Sequence, residues 1–322
     1  ALYLQTAHQQ PLIAGQITRA TPVNPAKLAV LEATLNPALL RDAGATIVIL
    51  HRARAAEINQ LEELEGRAED QLGAPIYVDE RIAIYEVPPP EEAAPELVTL
   101  PVVGTTTDQG YLDLYVSQPG WIELRGELIA DNRDIALYLN ANSLFAWELD
   151  TGSTIVTPFA VIAPGYYRLT LALDPPCPDY YPDSLTCSNL RYDLDAAFIS
   201  DRLGEGGVFD GGIELRASQI DIEAQEIRVR LHWEYDQPRD EFDVRFVHLL
   251  DENDQLVAQS DLPPGDYSAG QQQTEIVAFP LDDLPPGLYT VQVGWYRLVG
   301  DTLTNYPIEG QISLTIGQVQ VP

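Results

Sequence analysis

EIRVRLHWEY, residues 226–235, alternates between apolar and polar side chains over its whole length. Successive side chains of a β-strand point to opposite faces, so this period of two predicts a strand with one buried face. The face predicted to be buried carries Ile227, Val229, Leu231, Trp233 and Tyr235. The face predicted to meet solvent carries Arg228, Arg230, His232 and Glu234.

Short apolar segments of the same kind lie on both sides of this strand, separated by turn residues. After residue 211 they are IELRASQIDI, FDVRFVHLL, QLVAQSD, TEIVAFP, LYTVQVGWY and QISLTIG. Before residue 202 they are WIELRGEL, IALYLN, SLFAWEL, STIVTPFA and YYRLTLAL. Strands at this spacing are typical of β-sandwiches. We therefore predict two all-β sandwich domains, immunoglobulin-like or jelly-roll-like, at 96–201 and 212–322.

One short pattern occurs in both predicted sandwiches. APGYYRLTLAL (163–173) and PPGLYTVQVGW (285–295) each contain Pro-Gly-x-Tyr followed by apolar residues at every second position. A tyrosine at the start of a strand resembles the tyrosine corner of immunoglobulin-type sandwiches, so we predict a turn and a packing tyrosine rather than a ligand contact. The residues are Pro164, Gly165 and Tyr167 in the first copy, and Pro286, Gly287 and Tyr289 in the second.

Residues 1–87 have a different, partly helical character. Asn24-Pro25 and Asn36-Pro37 place a capping side chain before a proline, the preferred order at a helix start. ATIVIL (45–50) is predicted to form a strand, and residues 54–72 an amphipathic helix. Strands that alternate with helices predict a small N-terminal α/β domain.

Two segments rich in turn residues divide the chain. PPPEEAAP (88–95) is predicted to be a semi-rigid linker because proline runs favour extended backbone. RLGEGGVFDGG contains five glycines, and we predict a hinge at 202–211. DENDQ (251–255) resembles a cation-binding loop in composition, but its place between FVHLL and LVAQS favours a hairpin turn.

The two cysteines lie close together in the sequence. Cys177 and Cys187 enclose nine residues rich in Pro, Tyr and Asp, with no histidine or further cysteine that could complete a zinc site. This pattern favours a disulfide and therefore an extracytoplasmic location, secreted or at the cell surface. Two free thiols in a cytosolic protein are the alternative.

The chain is strongly acidic, with a net charge of −31. Its first 87 residues carry seven Lys or Arg and eleven Asp or Glu, so most of the negative charge lies in the predicted sandwiches. Such a field repels nucleic acids and anionic lipids, which excludes both as expected partners. The carboxylates keep the protein soluble, and Ca²⁺ is the one ion we retain as a candidate ligand. No apolar run is long enough to span a membrane.

No catalytic motif is present. None of the four histidines has metalloprotease spacing, and no nucleophile elbow, phosphate-binding loop or dinucleotide fingerprint occurs. We therefore expect no catalytic residue, no metal site and no cofactor. His232 is expected to be exposed, whereas Trp233 and Trp295 fall on the inward phase of their strands. Candidate contacts for a ligand or partner are Tyr180, Tyr181 and Trp147.

Several segments resemble one known family. YLQTAHQQPLIAGQITR (Tyr3 to Arg19), LGAPIYVDERIAIYEV (72–87), and FDVRFVHLLDENDQLVAQSDLPP with LPPGLYTVQVGWY (242–296) are similar to exterior regions of polytopic GT-C or protein-mannosyltransferase-like membrane proteins. The middle of the chain, PGWIELRG…APGYYRLTLALDPPCP…C, is similar to their disulfide-bearing insert. The resemblance implies an extracytoplasmic region whose catalytic residues lie in membrane segments, and a chain start produced by processing or truncation of a larger precursor.

These observations predict a non-catalytic module that binds or assembles at the cell envelope. Its expected partners are other envelope proteins or a second copy of the chain, and glycans are a further candidate. Two alternatives stay open: a self-assembling surface protein, such as a layer, sheath or filament subunit, and a carbohydrate-binding accessory module. Edge strands of serial sandwiches offer pairing sites for the first, and exposed aromatic rings offer stacking sites for the second.

Overall fold

The structure is a computed structural model that describes residues 24–322 except 53–57, 101, 107–108, 130–132, 141, 150–152, 175–189 and 264–268. The chain is mostly β-sheet, and every strand pair with a described register is antiparallel. Contacts within the chain divide it into two units. The first comprises residues 1–100, 112–117 and 165–168, and the second comprises the remainder.

The described residues of the first unit form three helices and a three-stranded sheet of order β1-β3-β2. Asn24 and Asn36 each accept hydrogen bonds from two main-chain N–H groups of the helix that follows, so both predicted caps are confirmed. Leucine and alanine side chains of the helices pack on Ala83 and Tyr85 of the sheet. The elements are α1 (Pro25–Thr34), α2 (Pro37–Asp42), β1 (Ile47–His51), α3 (Ile58–Leu72), β2 (Tyr77–Val78) and β3 (Ile82–Glu86).

The middle of the chain forms two sheets, of order β10-β7-β12-β5 and β4-β6-β11-β8-β9. Trp121, Ile122 and Leu124 of β7 are buried, as the alternation in WIELRGEL predicts for Ile122 and Leu124. The strands are β4 (Leu97–Thr99), β5 (Val102–Thr106), β6 (Gln109–Val116), β7 (Gly120–Ile129), β8 (Arg133–Leu139), β9 (Asn142–Leu149), β10 (Ser153–Val161), β11 (Gly165–Asp174) and β12 (Leu190–Ser200).

The C-terminal residues form two further sheets, which we call the C-terminal sheet pair. One has the order β13-β14-β15-β18, and the other β17-β16-β19-β20 with β21 paired to β19. The strands are β13 (Gly207–Phe209), β14 (Ile213–Glu223), β15 (Glu226–Tyr235), β16 (Asp243–Leu250), β17 (Leu256–Leu262), β18 (Gln271–Pro280), β19 (Gly287–Val299), β20 (Thr302–Tyr306) and β21 (Leu314–Val321).

Large aromatic side chains fill the core between these two sheets. Trp233 of β15 and Trp295 of β19 are fully buried and meet edge to face, with ring centroids 5.4 Å apart. Tyr235 meets Trp295 in the same way at 5.8 Å. The inward phase predicted for EIRVRLHWEY, and for both tryptophans, is thus confirmed.

The prediction that the polar face of β15 meets solvent is wrong for two of its residues. Arg230 and His232 are only 3% and 1% exposed. Arg230 donates to Asp221 and Glu223 of β14, and His232 lies 2.8 Å from the Thr274 hydroxyl of β18. Strand β10 approaches β15 and β18. At Arg230 and His232 the polar face of β15 therefore contacts side chains of neighbouring strands and does not meet solvent.

The segment predicted as a hinge is packed against its neighbours. Residues 207–209 form β13, which pairs with β14. Gly204 has φ +66°, and a Cβ there would overlap the Ser218 carbonyl. Ser218 donates its N–H to the Leu203 carbonyl at 2.6 Å and its hydroxyl to the Glu205 carbonyl at 2.7 Å. The glycines of the segment 202–211 thus allow its main chain to approach that of β14 closely.

The Pro-Gly-x-Tyr pattern places Tyr289 near the start of β19. The Tyr289 side chain is buried, and its hydroxyl donates to the Pro285 carbonyl at 2.7 Å, as a corner tyrosine does. Gly165 and Gly287 are the first residues of β11 and β19, and Tyr167 is half-buried.

Replacing Tyr289 by phenylalanine should destabilise the C-terminal sheet pair by about 1 kcal/mol, because the Pro285 carbonyl loses its donor without loss of ring packing. Urea denaturation followed by tryptophan fluorescence measures the change. Tyr111→Phe, which removes an exposed hydroxyl, is the control, and equal effects of the two substitutions would contradict the corner assignment.

Candidate functional site

The described part of the chain contains an open groove beside β17. It has a volume of about 530 Å³ and lies between β17 and the end of β18, where residues 281–283 form a single 3₁₀ turn. We call it the β17 groove. It is lined by Val257, Ala258, Gln259, Ser260, Asp261, Leu262, Ala278, Phe279, Pro280, Asp283 and Leu284.

Strand β17 is held in place by the turn that precedes it. DENDQ forms the predicted hairpin turn, in which Asp251 accepts hydrogen bonds from the N–H groups of Asn253 at 2.8 Å and Gln255 at 2.9 Å. These two hydrogen bonds lower the pKa of the Asp251 carboxyl group, and the one from Gln255 has the larger effect. One of the three carboxylates that give the segment its resemblance to a cation loop is therefore engaged by its own turn.

β17 is an edge strand. Among the described residues it is hydrogen-bonded to β16 on one side and has no strand on the other. Leu256 and Leu262, at its two ends, are about half exposed. An edge of this kind carries main-chain N–H and C=O groups without a strand partner, which can pair with a further extended chain.

A buried ion pair joins the two walls of the groove region. Arg245 of β16 is 3% exposed and donates to Glu275 of β18 at 2.7 Å and to the Ser260 carbonyl of β17 at 3.2 Å. The second carboxylate oxygen of Glu275 accepts from the Trp233 indole N–H at 2.7 Å. We call these residues the Arg245 clamp, since one guanidinium connects three strands of two sheets.

The outer face of the same sheet carries a second group of side chains. Phe246 packs against the backbone of Gly294, where a Cβ atom would overlap its ring. The His248 ring lies 4.4 Å from Phe246 between centroids, and its Nε2 lies 3.5 Å from Asp261 Oδ1. Burial lowers the pKa of His248, and Asp261 offsets only part of this effect. Asp261 thus contributes to both the groove lining and this group.

Two of the three residues predicted from sequence to contact a ligand or partner, Tyr180 and Tyr181, lie outside the described residues. So do Cys177 and Cys187, the predicted disulfide. Trp147 belongs to β9. The described residues contain no group of three or more His, Cys, Asp or Glu suited to a metal ion. None of the described helices is both long and apolar enough to cross a bilayer.

Comparison with known proteins gives distant structural likenesses only. No family model and no curated protein matches the chain. Similar solved structures include a putative beta-galactosidase from Bacteroides fragilis, with a TM-score of 0.21 and 11% identity over 67% of this chain and 33% of that one. Another is an FMN-binding beta-glucuronidase from Facaelibacterium prausnitzii. It has a TM-score of 0.19 and 17% identity over 65% of this chain and 32% of that one.

A third is a glycosyl hydrolase family 2 member from Bacteroides cellulosilyticus, with a TM-score of 0.22 and 11% identity over 65% of this chain and 27% of that one. The chain thus spans about a third or less of the length of each of these proteins. Likenesses with such low TM-scores carry no argument about activity.

Proposed function

We propose that the chain is a non-catalytic, extracytoplasmic module that binds partners at the cell envelope. In this proposal a small α/β domain precedes two β-sandwich domains, and the second sandwich carries the binding surface. The observation that carries the proposal is the β17 groove, one wall of which is the edge strand β17, with no strand partner on its outer side among the described residues. Binding through a strand edge needs no catalytic group.

The charged groups of the described residues support a structural use. Arg168 and Asp113 form a bidentate pair, with two contacts of 2.7 Å. Arg297 of β19 donates to Asp240 and to the buried Asp243, which also accepts from the Tyr306 hydroxyl at 2.7 Å. These pairs fix strands and loops to one another.

An assay of the purified chain tests the absence of catalysis. We expect no hydrolysis or transfer above the uncatalysed rate with a panel of aryl glycosides, aryl esters and activated sugar donors. Asp261→Asn and Asp283→Asn, which alter the two groove carboxylates, are the matched variants. Turnover at an enzyme-like rate that either substitution abolishes would overturn the proposal.

The location is tested through the cysteines. In native protein we expect Cys177 and Cys187 to resist alkylation until a reductant is added, because a disulfide protects both. Mass spectrometry of the intact chain, alkylated before and after reduction, measures this. Two cysteines alkylated without reductant would contradict the extracytoplasmic assignment.

A self-assembling surface protein is the second candidate, because an edge strand such as β17 has the main-chain groups for pairing with a second copy. The net charge of −31 opposes that pairing and places this candidate second. Electron microscopy of native material distinguishes the two functions, since a binding module gives dispersed particles and an assembling subunit gives sheets or filaments.

A further inference from the structure

One wall of the β17 groove has the length of a short peptide strand. Residues 257–262 all line the groove and span about 20 Å at the usual rise of a strand. In an antiparallel ladder, residues that bond to one neighbour alternate with residues whose N–H and C=O point the other way. The register with β16 is regular from Ala258 to Leu262 and shifts at Val257. Within Ala258 to Leu262, every second residue of β17 therefore directs its main-chain groups away from β16.

The opposite wall combines apolar residues with one acid. Ala278 and Pro280 are exposed, Phe279 and Leu284 lie mostly buried between and beside them, and Asp283 is the acid. Val257 and Leu262 add exposed apolar surface on the β17 side. Since side chains of an extended peptide alternate between two faces, such a wall receives every second side chain of a strand that pairs with β17.

The charge of the lining is of one sign. Asp261 and Asp283 line the groove, and no lysine, arginine or histidine does. The whole chain carries a net charge of −31, so the approach of an anionic segment is opposed and that of a cationic segment is favoured.

We propose that the β17 groove binds an extended, cationic peptide segment of a partner protein, which adds to the sheet as a strand beside β17. Apolar side chains of the segment pack on Ala278, Pro280 and the exposed parts of Val257 and Leu262, and its lysine or arginine side chains face the exposed Asp283, with Asp261 adding negative charge nearby. This inference rests on the binding role proposed above and names its partner class. A second copy of the chain is a poor occupant, because edge pairing would bring two strongly negative molecules together.

A designed peptide tests the proposal on the full chain. The probe is a capped, fluorescein-labelled peptide of eight residues with alternating valine and lysine, titrated by fluorescence polarisation. We expect saturable binding and, by hydrogen exchange, protection of residues 256–262. The same peptide N-methylated at alternate residues should bind at least tenfold more weakly, because it cannot donate to the edge. Equal binding of the two peptides would overturn strand addition.

Two proline substitutions test the same edge from the protein side. Gln259 and Ser260 are adjacent, so one N–H points toward β16 and the other away from it. Of Gln259→Pro and Ser260→Pro, one should disturb the sheet, and the other should keep the fold and lose at least tenfold in peptide affinity. A folded proline variant that binds as well as the unaltered chain would contradict the proposal.

Charge is tested by Asp283→Asn, with Asp301→Asn as the control that removes one exposed acid from the β19–β20 turn. We expect two- to fivefold weaker binding for the first at low salt and no change for the second. Equal effects would mean that net charge alone attracts the peptide.

Sedimentation equilibrium of the chain without peptide distinguishes a partner segment from a second copy of the chain as the occupant of the groove, because it measures the oligomeric state. A monomer at all concentrations supports a partner segment, whereas a dimer abolished by the folded proline variant would replace it with a second copy. None of these measurements depends on catalysis or location. If the chain is non-catalytic and extracytoplasmic but does not bind the peptide, this inference is wrong and the proposed function is unaffected.

Discussion

Replacing Glu275 by glutamine is expected to destabilise the C-terminal sheet pair by about 3 kcal/mol. The substitution keeps the shape of the side chain and an acceptor for the Trp233 indole, but it removes the charge that balances the buried Arg245. Breaking one side of a buried ion pair is costly because the remaining charge stays desolvated. Urea denaturation followed by tryptophan fluorescence gives the change in free energy of unfolding.

The control is Glu226→Gln at the start of β15. Glu226 pairs with Arg228, and both side chains are about one third exposed, so its loss should cost less than about 1 kcal/mol. The double variant Arg245→Met with Glu275→Gln should recover most of the lost stability, since neither charge is then buried alone. If Glu275→Gln costs no more than Glu226→Gln, the Arg245 clamp does not hold the two sheets together.

The clamp also bears on the groove. Arg245 donates to the Ser260 carbonyl and so fixes the middle of β17 while it holds β18 through Glu275. Both walls of the β17 groove are therefore attached to one guanidinium. We expect Glu275→Gln to increase hydrogen exchange in β17 and β18 before it does so in β13 and β14, because the clamp contacts only the first two strands and their neighbours.

Local sequence patterns predicted those helix caps, turns and strand faces that are determined by contacts between residues close together in the sequence. Asn24 and Asn36 cap the helices that follow them, and the DENDQ turn is closed by Asp251, because in each case the partners lie within four residues. The inward phase of β15 also follows from its own alternation. What these features share is that one short segment contains both the signal and the contact.

The polar face of β15 and the β17 groove could not be predicted in the same way. Arg230 donates to Asp221 and Glu223 on β14, the strand before it, and His232 lies against Thr274 on β18, 42 residues further along the chain. Neither partner can be read from the alternation of β15 itself. β17 is an edge strand only because of the order in which the strands pair, and that order depends on long-range contacts. The exposed apolar residues of QLVAQSD are the one local signal that could have indicated an edge.

Acidification is expected to destabilise the fold through His232. Burial lowers the pKa of His232 to about 4, from 6.5 for an unperturbed histidine. Glu234 acts in the opposite direction and Arg216 in the same one, and both effects are smaller than that of burial. The unfolded chain therefore binds a proton below about pH 6.5, while the folded chain stays neutral at this site until about pH 4. Stability is fully present above pH 6.5 and decreases as the pH falls through that interval, by about 3 kcal/mol at this histidine.

The variant His232→Gln isolates this effect. Glutamine has no proton to gain, and its amide can still reach the Thr274 hydroxyl that lies 2.8 Å from the His232 ring. The variant should therefore be less stable than the unaltered chain at pH 7, where shape and packing are worse, and should lose less stability between pH 6.5 and pH 4. His51→Gln, at an exposed position on β1, controls for the loss of a histidine without burial. Free energies of unfolding measured by urea denaturation across this pH range give the slopes. The carboxylates are the same in all three proteins, so a difference between the slopes is assigned to the histidine. Parallel curves for His232→Gln and the unaltered chain would show that His232 is not buried as a neutral ring.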